Sequence, residues 1–506
     1  MHNRVHGLLE AAAETRPDAL ALADQDGRRL SWLEMLEAAL AAAAQLKAAG
    51  VRAGDRVVLV FENCAEAIAF FFGASMLDAS AVAINARLTT AELDRIIAHS
   101  DPSAILFSAA SSEAARAHAG HYGAQNVHGA FGAAALMPRA GASPEPVSED
   151  GREQLALLLY TSGTTGTPKA AMLTHANLIA GAAASAEVRG IKNSDVTYLA
   201  LPLSHIFGLV TMLSVTFAQS AMRMEAQFSA ERLYNALQED VTLLPAVPQM
   251  HAHLFNYARS HGKPRYDGHK LRFVSSGGAP LDPAWKREAE AFYGLPLQNG
   301  YGLTEGAAGV CATRNGIGDP DISVGLAMGE CSLKLDLDAA GATPEEGIGE
   351  ILVGGPQVMK GYFHDPEQTA AAFTEDGFFR TGDLGRFDDE GRLHIAGRTK
   401  ELIIRSGFNV YPVEIEAALT EHPDVVVASV VGRSVEGNEE VLAFVSAATG
   451  SSVTEQELKT FLHDRLAPYK RPARIIVAKA LPAAPTGKIL KAKLIETFAR
   501  ELDVVV

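Results

Sequence analysis

The sequence predicts an α/β protein, with a large N-terminal domain made of several α/β subdomains and a small α+β domain at the C-terminal end. Three observations carry this. Short apolar runs of strand length alternate with helix-length segments, the rhythm of sheets buried between helices. Two of the helix starts carry capping boxes, Ser31 with Glu34 and Thr89 with Glu92. The pattern then changes character near "DEGRLHIAGRTKELIIRSGFNVYPVEIEAAL", Asp389 to Leu419.

In chain order, "SWLEMLEAALAAAAQLKAAG" reads as a helix closed by Gly50. "DRVVLVF" is a short buried strand, "CAEAIAFFFGASMLDA" a helix, "SAVAIN" a strand and "TTAELDRIIAHS" a helix. Residues 108–150, rich in Ala, Gly, Ser and Pro, are expected to form a helix and a surface loop. "LALLLYT" is an apolar strand and "LTHANLIAGAAASAEVRG" a helix. "VTYLALP", "VTLLPAVP", "LRFVSSGG" and "GEILVGG" are further strands. "VVVASVVG" and "VLAFVSAA", with helices "VEIEAALTEH" and "TEQELKTFLHDRL", form the small domain. The reading places domains at 1–397 and 401–506, joined at 398–400.

The 506 residues, 48% hydrophobic, are ample for roughly two to four domains. A net charge of -16 argues against general nucleic-acid binding. Three cysteines, Cys64, Cys311 and Cys331, lack metal-site spacing and are too few for a disulfide framework, so a reducing cytoplasm fits. No apolar run of membrane-spanning length occurs, so no integral membrane segment is expected. Between Arg465 and Lys493 every charged residue is basic, and this local excess suggests an anionic ligand.

"YTSGTTGTPKAA", Tyr160 to Ala171, comes close to a P-loop but has Pro168 where the second glycine belongs and Ala170 where the hydroxyl belongs. Its hydroxyls, glycines and lysine still suit a phosphate. "NGYGLTEG" sets Tyr301, able to stack on a base, beside Thr304 and Glu305, a carboxylate for a hard cation such as magnesium. "FRTGDLG" offers Asp383 to paired ribose hydroxyls. "PTGKILK" puts Lys488 after a Thr-Gly turn, from which it can reach a developing negative charge.

Together these motifs resemble the adenylate-forming superfamily of acyl-CoA and aryl-CoA ligases, luciferases and peptide-synthetase adenylation domains. The likeness runs from about Ser31 to Lys493 and is nearest to acyl-CoA synthetases of the 4-coumarate–CoA ligase type. It implies roles for matching positions. Thr161, Ser162, Gly163, Thr164, Thr165, Gly166 and Lys169 would close over the ATP β- and γ-phosphates. Gly278, Ala279 and Pro280 would lie beside adenine, with Asn299, Gly300, Tyr301 and Gly302 lining the same site. Tyr301 would stack on the base, Thr304 would bind the α-phosphate and Glu305 would hold Mg2+. Asp383 and Arg398 would hold the ribose. Lys488 would be the catalytic lysine, and Lys400 the hinge about which a mobile C-terminal domain turns. Ser406 and Gly407 would face the pantetheine arm of CoA.

The implied activity joins a carboxylic acid to CoA. The carboxylate attacks ATP to give acyl-AMP and pyrophosphate, and the CoA thiol then takes the acyl group. "LPLSHIFGL" matches the acyl-pocket segment, with His205 and Phe207 as wall residues and Val247, Gly277, Gly302 and Gly309 completing it. Asn299 and its neighbours are neutral, so an uncharged monocarboxylic acid is expected, aromatic of the hydroxycinnamate type or a medium-chain fatty acid. The alternatives are a short dicarboxylate of malonate type or delivery to a carrier protein. The expected partners are that small acid, ATP and CoA, without nucleic acid, and a homodimer is allowed. A P-loop kinase would release ADP instead of AMP. Ala170, where the family usually has glycine, is expected to cost little.

Overall fold

A computed structural model describes residues 3–161, 169–278, 281–405, 408–435, 438–448, 450–483 and 489–503. Two large sheets dominate. In the first, strands Leu20–Asp24, Ala221–Met224, Val196–Leu199, Leu243–Ala246, Phe273–Gly277 and Leu297–Leu303 run parallel in that spatial order. In the second, Leu155–Thr161, Ser80–Asn85, Arg56–Phe61 and Ala104–Phe107 are parallel neighbours. Antiparallel strands finish both sheets, among them Ala308–Ala312 on the first and Lys169–Thr174 with Gly361–Tyr362 on the second. Parallel strands leave their carboxyl ends on one edge, where open α/β sheets bind ligands. Gly277 and Thr161 stand at such ends, and Tyr301 directly follows the parallel-paired part of Leu297–Leu303.

Helices fill the layer between the sheets. Trp32–Ala48 starts on the Ser31–Glu34 capping box and Thr90–Ser100 on Thr89–Glu92, as expected from the sequence. The alanine-rich face of the first packs on Ala65–Met76. A Cβ on Gly73 would come within 2.8 Å of the Ala43 backbone nitrogen, so glycine sets how closely these two helices approach.

One expectation needs correcting. Residues 108–150 hold the helix Glu113–Tyr122, but a β-hairpin follows, Gln125–Gly129 paired with Gly132–Pro138, which extends the second sheet beyond Ala104–Phe107. Alanine is a poor strand former, so the composition did not suggest it. Pairing at the sheet edge overrides propensity, and fully buried Phe131 pins the turn edge-on against Phe70 at 4.8 Å.

A four-stranded sheet, which includes Phe379–Phe387 and Leu393–Arg398, precedes the C-terminal part. From Ile403 onward the chain builds a separate core of Ile403, Ile415, Leu419, Val441, Val445 and Leu462. A 3-10 turn, Thr399–Glu401, stands between the two. Half of the basic tract from Arg465 is neutralised within this small domain. Arg465 meets Glu421, Lys470 meets Glu414, Arg474 meets Glu455, and Lys491 bridges Glu401 and Glu416. Four of its eight cations therefore have acidic partners drawn from earlier in the chain, which removes much of the apparent charge excess.

Candidate active site

The strands Phe379–Phe387 and Leu393–Arg398 run antiparallel with Asp383 opposite Arg398. This register sets a carboxylate beside a guanidinium. Asp383 Oδ1 accepts from Arg398 Nε at 3.0 Å, and Oδ2 accepts from the Tyr301 hydroxyl at 2.5 Å. The Asp383 N–H donates to Thr381 Oγ1, which donates to the Ile351 carbonyl. Burial raises the Asp383 pKa, and Arg398 and the Tyr301 hydrogen bond oppose it. Burial also drives the Tyr301 phenol well above its usual range, so it remains a neutral donor.

Tyr301 leads through Gly302 and Leu303 into the turn Thr304–Gly306. Two non-glycine residues follow in left-handed backbone, Ala307 at φ 45° and Ala308 at φ 82°. Each such residue stores about 1–3 kcal/mol of strain, a cost concentrated at functional sites. The turn is tight: a Cβ at Gly302 would fall 1.9 Å from the Ala308 carbonyl oxygen.

Glu305 emerges from this turn. Its Oε1 accepts from the Tyr362 hydroxyl at 2.9 Å, and its backbone carbonyl accepts from the Met359 N–H. Lys169 Nζ sits 3.6 Å from the centroid of the Tyr362 ring, a cation–π contact. Burial lowers the Lys169 pKa, with Glu305 raising it and Lys400 lowering it further. Lys169, Tyr362, Glu305 and Lys400 thus form one charged group next to the Asp383 pair. An open carboxylate facing a lysine fits Mg2+, which is held by one or two carboxylates together with substrate phosphates. The Ala170 methyl is fully buried in the small core behind the sheet.

Beyond the turn lies an apolar wall. A Cβ on Gly277 would meet the Phe207 ring at 3.3 Å, one on Gly278 would meet Val247 at 3.8 Å, and one on Gly309 would meet Met328 at 3.0 Å. His205 caps the helix Ile206–Phe217 and its Nδ1 accepts the Phe207 N–H at 3.3 Å. Asn299 is buried, its amide donating to the Ser323 carbonyl at 2.9 Å, and a Cβ on Gly300 would sit 3.0 Å from the Cys311 carbonyl oxygen. Thr161 is the cross-strand partner of Lys169. Ser162 to Pro168, Ala279, Pro280, Ser406, Gly407 and Lys488 lie outside the described residues.

The profile of the AMP-binding enzyme family matches residues 9–363, and that of the AMP-binding enzyme C-terminal domain matches 414–488. The chain belongs to this family. Similar to this AMP-binding enzyme is the long-chain-fatty-acid–CoA ligase FadD13 of Mycobacterium tuberculosis, 33% identical over 481 residues that cover 93% of each chain. Among solved structures it is similar to ATP-bound MatB from Rhodopseudomonas palustris, with TM-score 0.85, 32% identity and coverage of 98% of this chain and 99% of that one. It is also similar to O-succinylbenzoate coenzyme A synthetase of Bacillus subtilis in complex with ATP and magnesium, with TM-score 0.81, 29% identity and coverage of 96% and 98%.

Of the residues singled out from the sequence, the structure joins Asp383, Arg398 and Tyr301 and sets Glu305 against Tyr362, whose only signal in the sequence was its place in a short Gly-Tyr strand. Arg189, also not singled out, has its guanidinium carbon 5.8 Å from the Phe207 ring centroid.

The raised pKa of Asp383 has a measurable consequence. Its proton returns at higher pH than an ordinary aspartate's, and a protonated carboxyl is a poorer acceptor for the ribose hydroxyls that the resemblance assigns to it. ATP affinity is therefore expected to weaken on acidification at a pH above the usual 3.8 of Asp, read as the acid limb of kcat/KM for ATP. The same shift makes this group's contribution to folding stability decline as pH rises through its folded pKa, so its effects on affinity and stability run in opposite directions.

Proposed function

We propose that the protein is an AMP-forming acid–CoA ligase. The Tyr301–Asp383–Arg398 arrangement beside the Glu305–Lys169–Tyr362 cluster is the observation that carries this reading, because it supplies separate seats for a ribose and a polyphosphate. Asp383 accepts the ribose hydroxyls, and Arg398 and Tyr301 orient its two oxygens. The Tyr301 ring offers a face to adenine. Thr161, Lys169 and the residues between them take the β- and γ-phosphates, while Thr304 reaches the α-phosphate. Glu305 is the residue to hold Mg2+, which when bound offsets phosphate charge. The acid's carbon skeleton lies along Phe207, Val247 and Met328, with His205 at the mouth.

The protein's contribution to adenylation is alignment of two anions and opposition to their repulsion. Lys488 bridges the attacking carboxylate and the α-phosphate. For the thioester half the C-terminal domain turns about Lys400 and presents Ser406 and Gly407. The domain limits 1–397 and 401–506 follow from this role. ATP- and CoA-dependent release of AMP and pyrophosphate across a panel of acids is the test, and release of ADP would overturn the reading.

Tyr362→Phe removes the donor to Glu305 while leaving the ring beneath Lys169. Losing such an orienting partner is expected to weaken apparent Mg2+ affinity about tenfold, read from Mg2+ titrations of AMP release. An unchanged titration would detach Glu305 from the metal.

A further inference from the structure

We propose that the acid taken by this ligase carries a second carboxylate, and that Arg189 receives it at the far end of the acyl pocket. The inference rests on the ligase reading and specifies its substrate class. It departs from the uncharged tail expected from the neutral residues about Asn299, because the cation comes from a helix far upstream.

Arg189 occupies the last turn of the helix His175–Arg189. Gly181, Ser185 and Arg189 follow at one-turn spacing and share a face. That face starts at the nucleotide side: a Cβ on Gly181 would lie 2.6 Å from the carbonyl oxygen of Ala307, in the strained turn after Glu305. One turn further, Ala184 packs on Gly329, next to Met328, which faces Gly309. At the outer end the guanidinium stands over Phe207, and the same ring is the neighbour of Gly277 in the acyl wall. The helix therefore runs along the pocket from the reacting end outward, with its cation at the far end.

The guanidinium lacks a balancing charge among the described residues. Its Nη1 donates to Ser185 Oγ, and no described carboxylate lies within 4 Å. Glu187, on the same helix, is turned to Arg314 at 3.7 Å. Half-buried Arg189 has its pKa pulled down by burial to about 10 without an opposing acid, and it is still cationic at neutral pH. A guanidinium offers five N–H donors in a planar fork suited to a carboxylate, and one is used by Ser185. A half-buried cation is costly without an anion, and a diacid whose first carboxylate sits at the adenylation site brings one.

The experiment uses the full chain and matched acids, straight-chain α,ω-dicarboxylates against monocarboxylates of equal length and 4-carboxycinnamate against cinnamate. AMP release dependent on ATP and CoA is followed for the wild type, Arg189→Gln and Arg189→Lys. The wild type is expected to prefer the diacid in at least one pair. In Arg189→Gln the ratio of diacid to monoacid kcat/KM should fall by roughly tenfold or more, the size of a lost charge-assisted hydrogen bond, mainly through KM of the diacid. Arg189→Lys should recover part of the ratio. A merely structural role would lower both acids together and leave the ratio where it was, which would overturn the proposal. Preference for the monoacid in every pair would overturn it while leaving the ligase reading intact. No AMP release with any acid would overturn both.

Discussion

Lys488→Ala is expected to lower acid-dependent ATP–pyrophosphate exchange by about 10³-fold, the upper range for removing one group that stabilises developing charge. The cause is electrostatic. The acid's carboxylate must approach the α-phosphate of ATP, and both are anions. On the proposed reading Glu305, bonded to Tyr362 beside Lys169, serves the polyphosphate, and Asp383, paired with Arg398, serves the ribose. None of these groups is assigned to the attacking carboxylate, which leaves that task to Lys488. The segment after it is anchored independently, since Lys491 contacts Glu401 at 2.6 Å and Glu416 at 2.9 Å. Loss of the Lys488 amine is therefore expected to act on chemistry more than on the placement of its segment. Thioester formation from chemically prepared acyl-AMP should retain most of its rate, because the anhydride no longer needs a bridge between two anions. Equal loss in both halves would sink the assignment of Lys488 to adenylation alone.

The parts of the molecule legible in the sequence are those governed by local physics. The capping boxes at Ser31 and Thr89 use contacts three residues apart, and the apolar strands are short and continuous. Asp383 and Glu305 were legible because each sits in a compact motif whose residue types suit one ligand group. What escaped depends on partners remote in sequence. Tyr362 matters because an edge strand sets its hydroxyl on Glu305 and its ring under Lys169. Asn299 donates its amide to the Ser323 carbonyl, a partner 24 residues away that no local pattern announces. The Gln125–Pro138 hairpin exists because a sheet edge was available to alanine-rich chain. Four cations of the basic tract looked uncompensated because their acids, Glu401, Glu414, Glu416, Glu421 and Glu455, precede it.

Asp383→Ala is expected to raise KM for ATP about 100-fold while moving the thermal midpoint little. Two hydroxyl donors to one carboxylate are charge-assisted hydrogen bonds, and at the lower figure for such bonds, about 1.5 kcal/mol each, the pair gives that order of effect. The effect on stability is smaller because opposing terms meet at this side chain. Burial disfavours the ionised carboxylate, so its removal relieves that cost. Against this, the Tyr301 hydroxyl and Arg398 Nε lose their acceptor. The Arg398 side chain is 51% exposed and has Glu401 at 4.0 Å, so water and that second acid take over its pairing. The Tyr301 hydroxyl is the one group left worse off, at a cost of about 1–3 kcal/mol if no water reaches it. Asp383→Asn keeps an oxygen for Tyr301 but no charge for Arg398 or the ribose, and its KM should fall between those of the wild type and the alanine variant. Steady-state kinetics at saturating acid and CoA, with calorimetric melting of the same samples, separates the two effects. An unchanged KM in Asp383→Ala would move the ribose seat elsewhere. A large drop in melting temperature would make the Tyr301–Asp383–Arg398 group chiefly a fastening between the first sheet and the strands that lead to the turn Thr399–Glu401.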